Sequence, residues 1–354
     1  MFLEEINSVH FDLKKIKMTL DLDLNEVYEN FKKKKKFYNY TEKDIFDFNT
    51  EFFINSYNYP KKIKNSIIKL KKFKKIKYKF NNTEVCINLY YNNFSKKNIN
   101  KIINLINFNI ILFEKINNKT RNNVNLNILA TNHKKKININ KTNQLNPENI
   151  NSGYTQSFVN INDDLIVIYR NEELFKVITH EMIHLYNLHP SEKFDTKINK
   201  LIKNNNDNFS IYESYTEAFA IIYYSYYYSR INNLDFKEVL NSQVKFNYIQ
   251  CSKLLHSQNI KDINNNYIIK EKTNAISYYL LKSCILTNLN FFKKMFNKKN
   301  GFLLENKNRV LNFDKILIKS FNSEKKEFNK YLNLNIFNKI NTKLLKTFRM
   351  NILD

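Results

Sequence analysis

Two histidines four residues apart in an apolar stretch constrain this chain more than any other feature of its sequence. They belong to His180-Glu181-Met182-Ile183-His184, inside a segment that runs from residue 171 to residue 188. Apolar residues recur along this segment at helical spacing, which predicts a helix with one apolar face. The recurring apolar residues are Leu174, Ile178, Met182 and Leu185. Because positions four apart share a face of a helix, both imidazoles are expected to point the same way.

The spacing H-E-x-x-H on a helix is suited to binding zinc. Two imidazoles on one face can hold one Zn²⁺, which prefers nitrogen and carboxylate oxygen ligands in a tetrahedral array. Glu181 lies one position round the helix, where it can polarise a zinc-bound water and carry its proton to the leaving amine. Zinc lowers the pKa of such a water to about 7. The motif therefore predicts one zinc ion per chain, with His180 and His184 as ligands and Glu181 as the catalytic base.

A third ligand is required, and the residues after the motif exclude one source of it. The metzincin pattern continues as H-E-x-x-H-x-x-G-x-x-H, whereas this chain has Asn187 and Pro190 at the glycine and histidine positions. A later carboxylate is the alternative. Glu213 and Glu217 lie one helical turn apart on an otherwise apolar, aromatic segment, where a carboxylate needs a partner. The residues alone leave open which of the two is the ligand.

The pair of motifs resembles the gluzincin type of zinc metallopeptidase, in which H-E-x-x-H is followed by E-x-x-x-D or E-x-x-x-E. The resemblance implies that Glu213 is the third zinc ligand and that Glu217 orients a ligand histidine. The run Glu217-Ala218-Phe219 is also similar to the lethal-factor-like branch of zinc proteases.

A wider and looser resemblance covers about residues 123 to 229. The segments that carry it resemble uncharacterised proteins of large DNA viruses that are described as metallopeptidases. It implies a viral protein that acts in the host cytoplasm or in the virion. The matching segments are Asn151-Ser152-Gly153-Tyr154-Thr155, Ile168-Tyr169-Arg170-Asn171-Glu172-Glu173 and Val177-Ile178-Thr179-His180-Glu181.

Gly153 is one of only two glycines in the chain, which indicates a turn or a close backbone approach at this position. An ordinary loop glycine is an equally good interpretation. In zincins an edge strand above the motif helix pairs with extended substrate. By that resemblance Gly153 and Tyr154, or the strand predicted at residues 158–161, line the substrate cleft.

The pattern of elements predicts an α+β fold with a small mixed sheet packed on the motif helix, as in a zincin core. We expect a basic helical region over residues 1–74, the zincin-like catalytic core over 75–230 and a helical region over 231–354. Local signals mark several elements. They are a hairpin around Asn81-Asn82, a helix opened by Ser95, a strand at 124–130, a second hairpin whose strands at 158–161 and 165–169 flank residues 162–164, and a helix over 211–229.

The formal charge of +25 suggests a nucleic-acid partner at first sight, because 58 residues are Lys or Arg. Composition weakens that argument. The chain has 63 Asn but only 5 Arg and no Trp, a bias towards residues with AT-rich codons. Lysines at 32–36 and within 61–79 are therefore interpreted as solvated surface first, and as a non-specific polyanion-binding region second.

The function predicted from these residues is hydrolysis of peptide bonds in a protein or peptide substrate, with an endopeptidase favoured because no terminus-binding motif is present. The alternative is a catalytically inactive zincin-fold protein that serves as a basic structural, virion or nucleic-acid-associated component. Three scattered cysteines indicate a reducing compartment. The acidic N-terminus predicts no signal peptide, and no apolar stretch predicts a membrane span, so we expect a soluble intracellular protein.

Overall fold

The computed structural model describes most of the chain with gaps. The described residues are 24–34, 41–45, 59–137, 144–157, 164–189, 198, 201–202, 210–265, 267–289, 307–333 and 347–353. They form two compact units. The sheet unit contains the described parts of Leu22–Lys134 and Asn151–Leu188, and the helical unit contains those of Lys135–Ile150 and His189–Leu353. The domain boundaries predicted near residues 74 and 230 stay a prediction.

The sheet unit is built around a mixed sheet of six strands, which confirms the α+β class. The strands are β1 Thr41–Ile45, β2 Lys72–Phe80, β3 Thr83–Tyr91, β4 Asn123–Leu129, β5 Gly153–Gln156 and β6 Leu165–Ile168. Their order in the sheet is β1-β2-β3-β4-β6-β5, with β3–β4 and β4–β6 parallel and the other pairs antiparallel. The helices of this unit are α1 Leu24–Lys34, α2 Lys61–Ile67, α3 Lys96–Asn117 and α5 Leu174–Leu185.

Local signals explain the centre of the sheet. Strands β2 and β3 form the expected hairpin around Asn81-Asn82, where Asn81 takes a φ of 52° that Asn tolerates better than most residues. The predicted helix at Ser95 is confirmed as α3, because the Ser95 hydroxyl accepts a hydrogen bond from the Asn98 backbone N–H. Helix α3 connects the parallel strands β3 and β4, so one face of the sheet is covered by a long apolar helix.

Two expectations are corrected at element boundaries. The region over residues 1–74 was expected to be helical, but β1 and the start of β2 lie inside it. Antiparallel pairing of Thr41–Ile45 with β2 provides the ladder that the local pattern does not show. The helix expected from residue 171 begins at Leu174, because Glu173 precedes it with a φ of 63°. The strand predicted at residues 158–161 lies outside the described residues.

The helical unit consists of helices that pack against one another. Its helices are α4 Pro147–Ile150, α6 Tyr212–Ile231, α7 Phe236–Ser257, a π-helix Ser277–Leu281, α8 Lys282–Thr287 and α9 Lys307–Asn333. The start and end of α6 confirm the helix predicted over 211–229. In the part of the chain that the structure describes, no helix is long and apolar enough to cross a membrane.

A segment without regular secondary structure, residues 347–353, is held in the helical unit by hydrogen bonds to its backbone carbonyls. The Lys253 ammonium donates to the carbonyl of Thr347 over 2.8 Å, and the Tyr279 hydroxyl donates to that of Phe348 over 2.6 Å. Lys253 has no exposed surface, and this burial lowers the pKa of its ammonium to about 7.

Stability should therefore rise with pH in a way that depends on Lys253. Between pH 7 and 8.5 the unfolded chain keeps the lysine protonated while the folded chain loses the proton, so alkaline pH favours the folded state. We expect the free energy of unfolding of the wild type to gain about 1–2 kcal/mol over this range relative to Lys253→Met. Urea titrations of both proteins at several pH values measure the difference. Parallel pH profiles would show that Lys253 does not titrate there.

Candidate metal and catalytic site

The motif helix α5 is almost entirely buried. Ten of its twelve residues are buried, and it packs against α3, β5 and β6. The side chain of Asn109 in α3 donates to the Thr179 hydroxyl over 3.2 Å, which fixes the rotation of the helix about its axis. His180 and Glu181 thus lie on a helix that is anchored by its apolar face, as the sequence predicted.

The two motif histidines face each other across one turn of α5. Their Nε2 atoms are 3.2 Å apart, and the ring centroids are separated by 4.9 Å. His180 is buried, whereas His184 is partly exposed. The predicted juxtaposition of the two imidazoles on one helical face is therefore present in the sheet unit.

An arginine that the sequence analysis did not single out holds the carboxyl end of α5. Arg121 donates through Nη1 to the carbonyl of Leu185 over 2.6 Å and pairs through Nη2 with Asp164 over 2.8 Å. The carbonyls of the last helical turn lack partners within the helix, so this guanidinium satisfies one of them. Asn117 donates to the next carbonyl, that of Tyr186, over 3.0 Å. No local sequence motif predicts these two contacts, because they join residues that are 64 and 69 positions apart.

Strand β5 lies along the carboxylate of Glu181. The Thr155 hydroxyl is 2.9 Å from Glu181 Oε2 and 3.0 Å from the main-chain oxygen of the same residue. At Gly153 a Cβ would stand 3.3 Å from Glu181 Oε1 and 2.8 Å from the carbonyl oxygen of Val167 in β6. Gly153 is therefore required for a close approach between strand and helix. This agrees with the prediction of a close backbone approach rather than with an ordinary loop glycine.

Tyr154 points to the other face of the sheet. Successive side chains of a strand alternate between faces, and Thr155 lies on the face of α5. The ring of Tyr154 packs beside Tyr59, with centroids 6.5 Å apart, in the apolar cluster under α2. The structure thus brings Gly153, but not Tyr154, next to Glu181. The assignment of both residues to a substrate cleft stays a prediction.

Substituting Gly153 by Ala should destabilise the chain and disturb Glu181. The added Cβ would meet the backbone oxygen of Val167 at 2.8 Å, and a backbone atom cannot move aside cheaply. We expect a loss of about 1–3 kcal/mol in the free energy of unfolding, as for other overpacked sites. Ser152→Ala is the matched control, because it adds no atom next to the same strand. Equal unfolding midpoints for the two variants in urea would contradict the steric argument.

The two predicted carboxylates lie on α6 in the helical unit. Glu213 is in the first turn of this helix and is partly exposed. Glu217, one turn further, is almost completely buried, and its Oε1 lies 3.6 Å from the ammonium of Lys282, which is buried as well. The same ammonium donates to the carbonyl of Met350 over 3.3 Å. The negative charge of Glu217 is therefore balanced within its own unit.

His180, His184 and Glu213 each offer a donor atom of a kind that can hold a metal ion. No protein-family model, no curated protein and no solved structure matches this chain.

Proposed function

We propose that this chain is a zinc-dependent metallopeptidase with a zincin-like core, an endopeptidase that hydrolyses peptide bonds within protein or peptide substrates. The observation that carries the proposal is the arrangement on α5. Two imidazole nitrogens face each other at 3.2 Å, and the carboxylate between them in sequence is held by the adjoining strand. A helix that only needed an apolar face would gain nothing from burying His180 and Glu181 and placing a second imidazole beside them.

The histidine pair fits a zinc ion in its dimensions. Zinc–nitrogen bonds of about 2.0–2.1 Å at a tetrahedral angle place the two nitrogens about 3.3 Å apart. The Nε2 atoms of His180 and His184 are 3.2 Å apart. The same separation suits a single hydrogen bond between a neutral donor ring and an acceptor ring, so metal content decides between the two.

Glu213 is proposed as the third ligand. The assignment of Glu213 rather than Glu217 is supported by charge, because the Glu217 carboxylate is already balanced by the Lys282 ammonium. A carboxylate that binds a dication contributes most when its charge is not neutralised elsewhere. Glu217 would then hold α6 in the helical unit through Lys282, and its role in orienting a ligand histidine is what the gluzincin resemblance implies.

The residues of the chain would transfer the proton and hold the metal ion. A bound zinc ion supplies a Lewis acid that polarises the substrate carbonyl and makes water acidic enough to react at neutral pH. Glu181 would accept a proton from the attacking water while the oxygen of that water bonds to the carbonyl carbon. The same carboxyl group would then give the proton to the amine nitrogen as the carbon–nitrogen bond breaks. His180 and His184 hold their positions on a helix that is anchored at both its apolar face and its carboxyl end.

Zinc loading followed by dialysis tests the proposal. We expect elemental analysis to find about one zinc per chain for the wild type and much less for His184→Ala. His133→Ala, which removes a histidine of the same unit outside the motif, should keep the metal. The loaded wild type should also cleave fluorescence-quenched peptides of mixed sequence at internal bonds. Wild-type protein that retains no zinc at neutral pH would overturn the proposal.

A further inference from the structure

Both oxygens of the Glu181 carboxylate lie against strand β5. Oε2 is 2.9 Å from the Thr155 hydroxyl, and a Cβ added at Gly153 would stand 3.3 Å from Oε1. These two positions of the strand alternate with Tyr154, so residues 153 and 155 face α5 together. Strand β5 therefore faces the Glu181 carboxylate with a residue that has no side chain and with a hydroxyl group.

Among the described residues, two acceptors lie within reach of the single hydrogen of the Thr155 hydroxyl, and both belong to Glu181. The main-chain oxygen at 3.0 Å lies inside α5, where helical geometry pairs it with the backbone N–H of Leu185. The carboxylate oxygen at 2.9 Å carries negative charge, and hydrogen bonds to a charged acceptor are roughly twice as strong as neutral ones. The hydrogen is therefore donated to Oε2.

We infer that Thr155 is a positioning residue for Glu181 in the reaction, an inference that rests on the proposed function. The terminal torsion of a glutamate is soft, because rotation about a bond between sp³ and sp² carbons has broad minima. A base that takes a proton from water and returns it to the amine nitrogen has to present its oxygens in one orientation during both steps. The bond from Thr155 fixes that orientation, and Gly153 leaves room for it.

Two substitutions separate the hydroxyl from the shape of the side chain. Thr155→Val keeps the bulk and removes the hydroxyl, whereas Thr155→Ser keeps the hydroxyl and removes a methyl group. Thr131→Val is the control for losing a hydroxyl elsewhere in the sheet unit, since Thr131 donates to the carbonyl of Tyr169 over 2.7 Å. Among the described residues, no hydrogen bond joins Thr131 to Glu181.

Steady-state kinetics of the zinc-loaded proteins test the positioning role. We expect Thr155→Val to lower kcat about 10–100-fold, as removal of other orienting partners does, with KM and zinc content unchanged. Thr155→Ser should restore most of kcat, and Thr131→Val should leave it at the wild-type value. A Thr155→Val enzyme with the kcat of Thr131→Val, or a Thr155→Ser enzyme as slow as Thr155→Val, would overturn the inference.

A thermal-unfolding cycle on the metal-free protein tests the contact without reference to activity. Thr155→Val should lower the melting temperature more in the wild type than in a Glu181→Leu background, where no carboxylate remains to accept the bond. Equal shifts in both backgrounds would overturn the contact. If the zinc-loaded wild type cleaves no peptide bond, the proposed function fails, whereas an active wild type with additive shifts removes only the role of Thr155.

Discussion

Glu181→Gln should bind zinc as the wild type does and lose hydrolysis about 10²–10⁴-fold, the contribution of a positioned general base. The amide has the size of the carboxylate, and its carbonyl oxygen can still accept the hydrogen of the Thr155 hydroxyl. Helix α5 therefore keeps its packing and its two imidazoles. What the amide cannot do is accept a proton from water. Elemental analysis and turnover of quenched peptides, measured on the same samples, give the two readouts.

The matched control is Glu172→Gln, which makes the same chemical change just before α5 begins. It should retain both zinc and turnover. A Glu181→Gln protein that cleaves as fast as the wild type would show that Glu181 is not the base. The alternative of an inactive, basic component predicts instead that neither the wild type nor any variant cleaves peptides.

Glu213→Ala should lose zinc more completely than Glu217→Ala. The first substitution removes a proposed zinc bond and a neutralising charge. The second removes a carboxylate that is paired with Lys282 at 3.6 Å, and loss of an orienting group costs about 10–100-fold in metal affinity. Competition with a chelator at fixed pH ranks the two affinities.

The free energy of unfolding should change in the opposite order, with Glu217→Ala losing more than Glu213→Ala. Removing Glu217 leaves the Lys282 ammonium buried without its acid, and breaking a buried pair costs about 3–5 kcal/mol in the free energy of unfolding. Glu213 is partly exposed, so its loss should cost far less. Glu217→Gln keeps the bulk of the side chain and separates charge from packing. A reversed order of zinc affinities would make Glu217 the ligand while leaving the proposed enzyme class intact.

Elements with local signals could be predicted from the sequence. Ser95 caps α3, Asn81-Asn82 turns the β2–β3 hairpin, and the apolar spacing from Leu174 gives α5. Strand β1 could not be predicted, because Thr41–Ile45 is polar and becomes a strand by pairing with β2 some 30 residues later. Propensity is a weak guide wherever a distant partner supplies the hydrogen bonds.

The candidate site also combines residues whose placement the sequence predicts with residues whose placement it does not. The spacing of His180, Glu181 and His184 is a property of one helix, so the sequence is enough to place them on a common surface. Thr155 and Arg121 contact that helix from 26 and 64 residues away. Gly153 draws attention to the segment that contains Thr155, but no local pattern shows that either side chain reaches the helix. Their roles depend on the path of the chain between elements, which periodicity does not encode.

The anchoring of α5 has a consequence for the order of folding and metal binding. Many small zinc domains are unfolded until the ion arrives, so a chelator denatures them. Here Arg121 and Asn109 hold the motif helix by contacts that involve no metal, and both imidazoles already face each other. A chelator should therefore strip the ion and leave the sheet unit folded. Zinc would then act as an ordinary ligand of a preformed histidine pair, adding stability only in proportion to its free concentration.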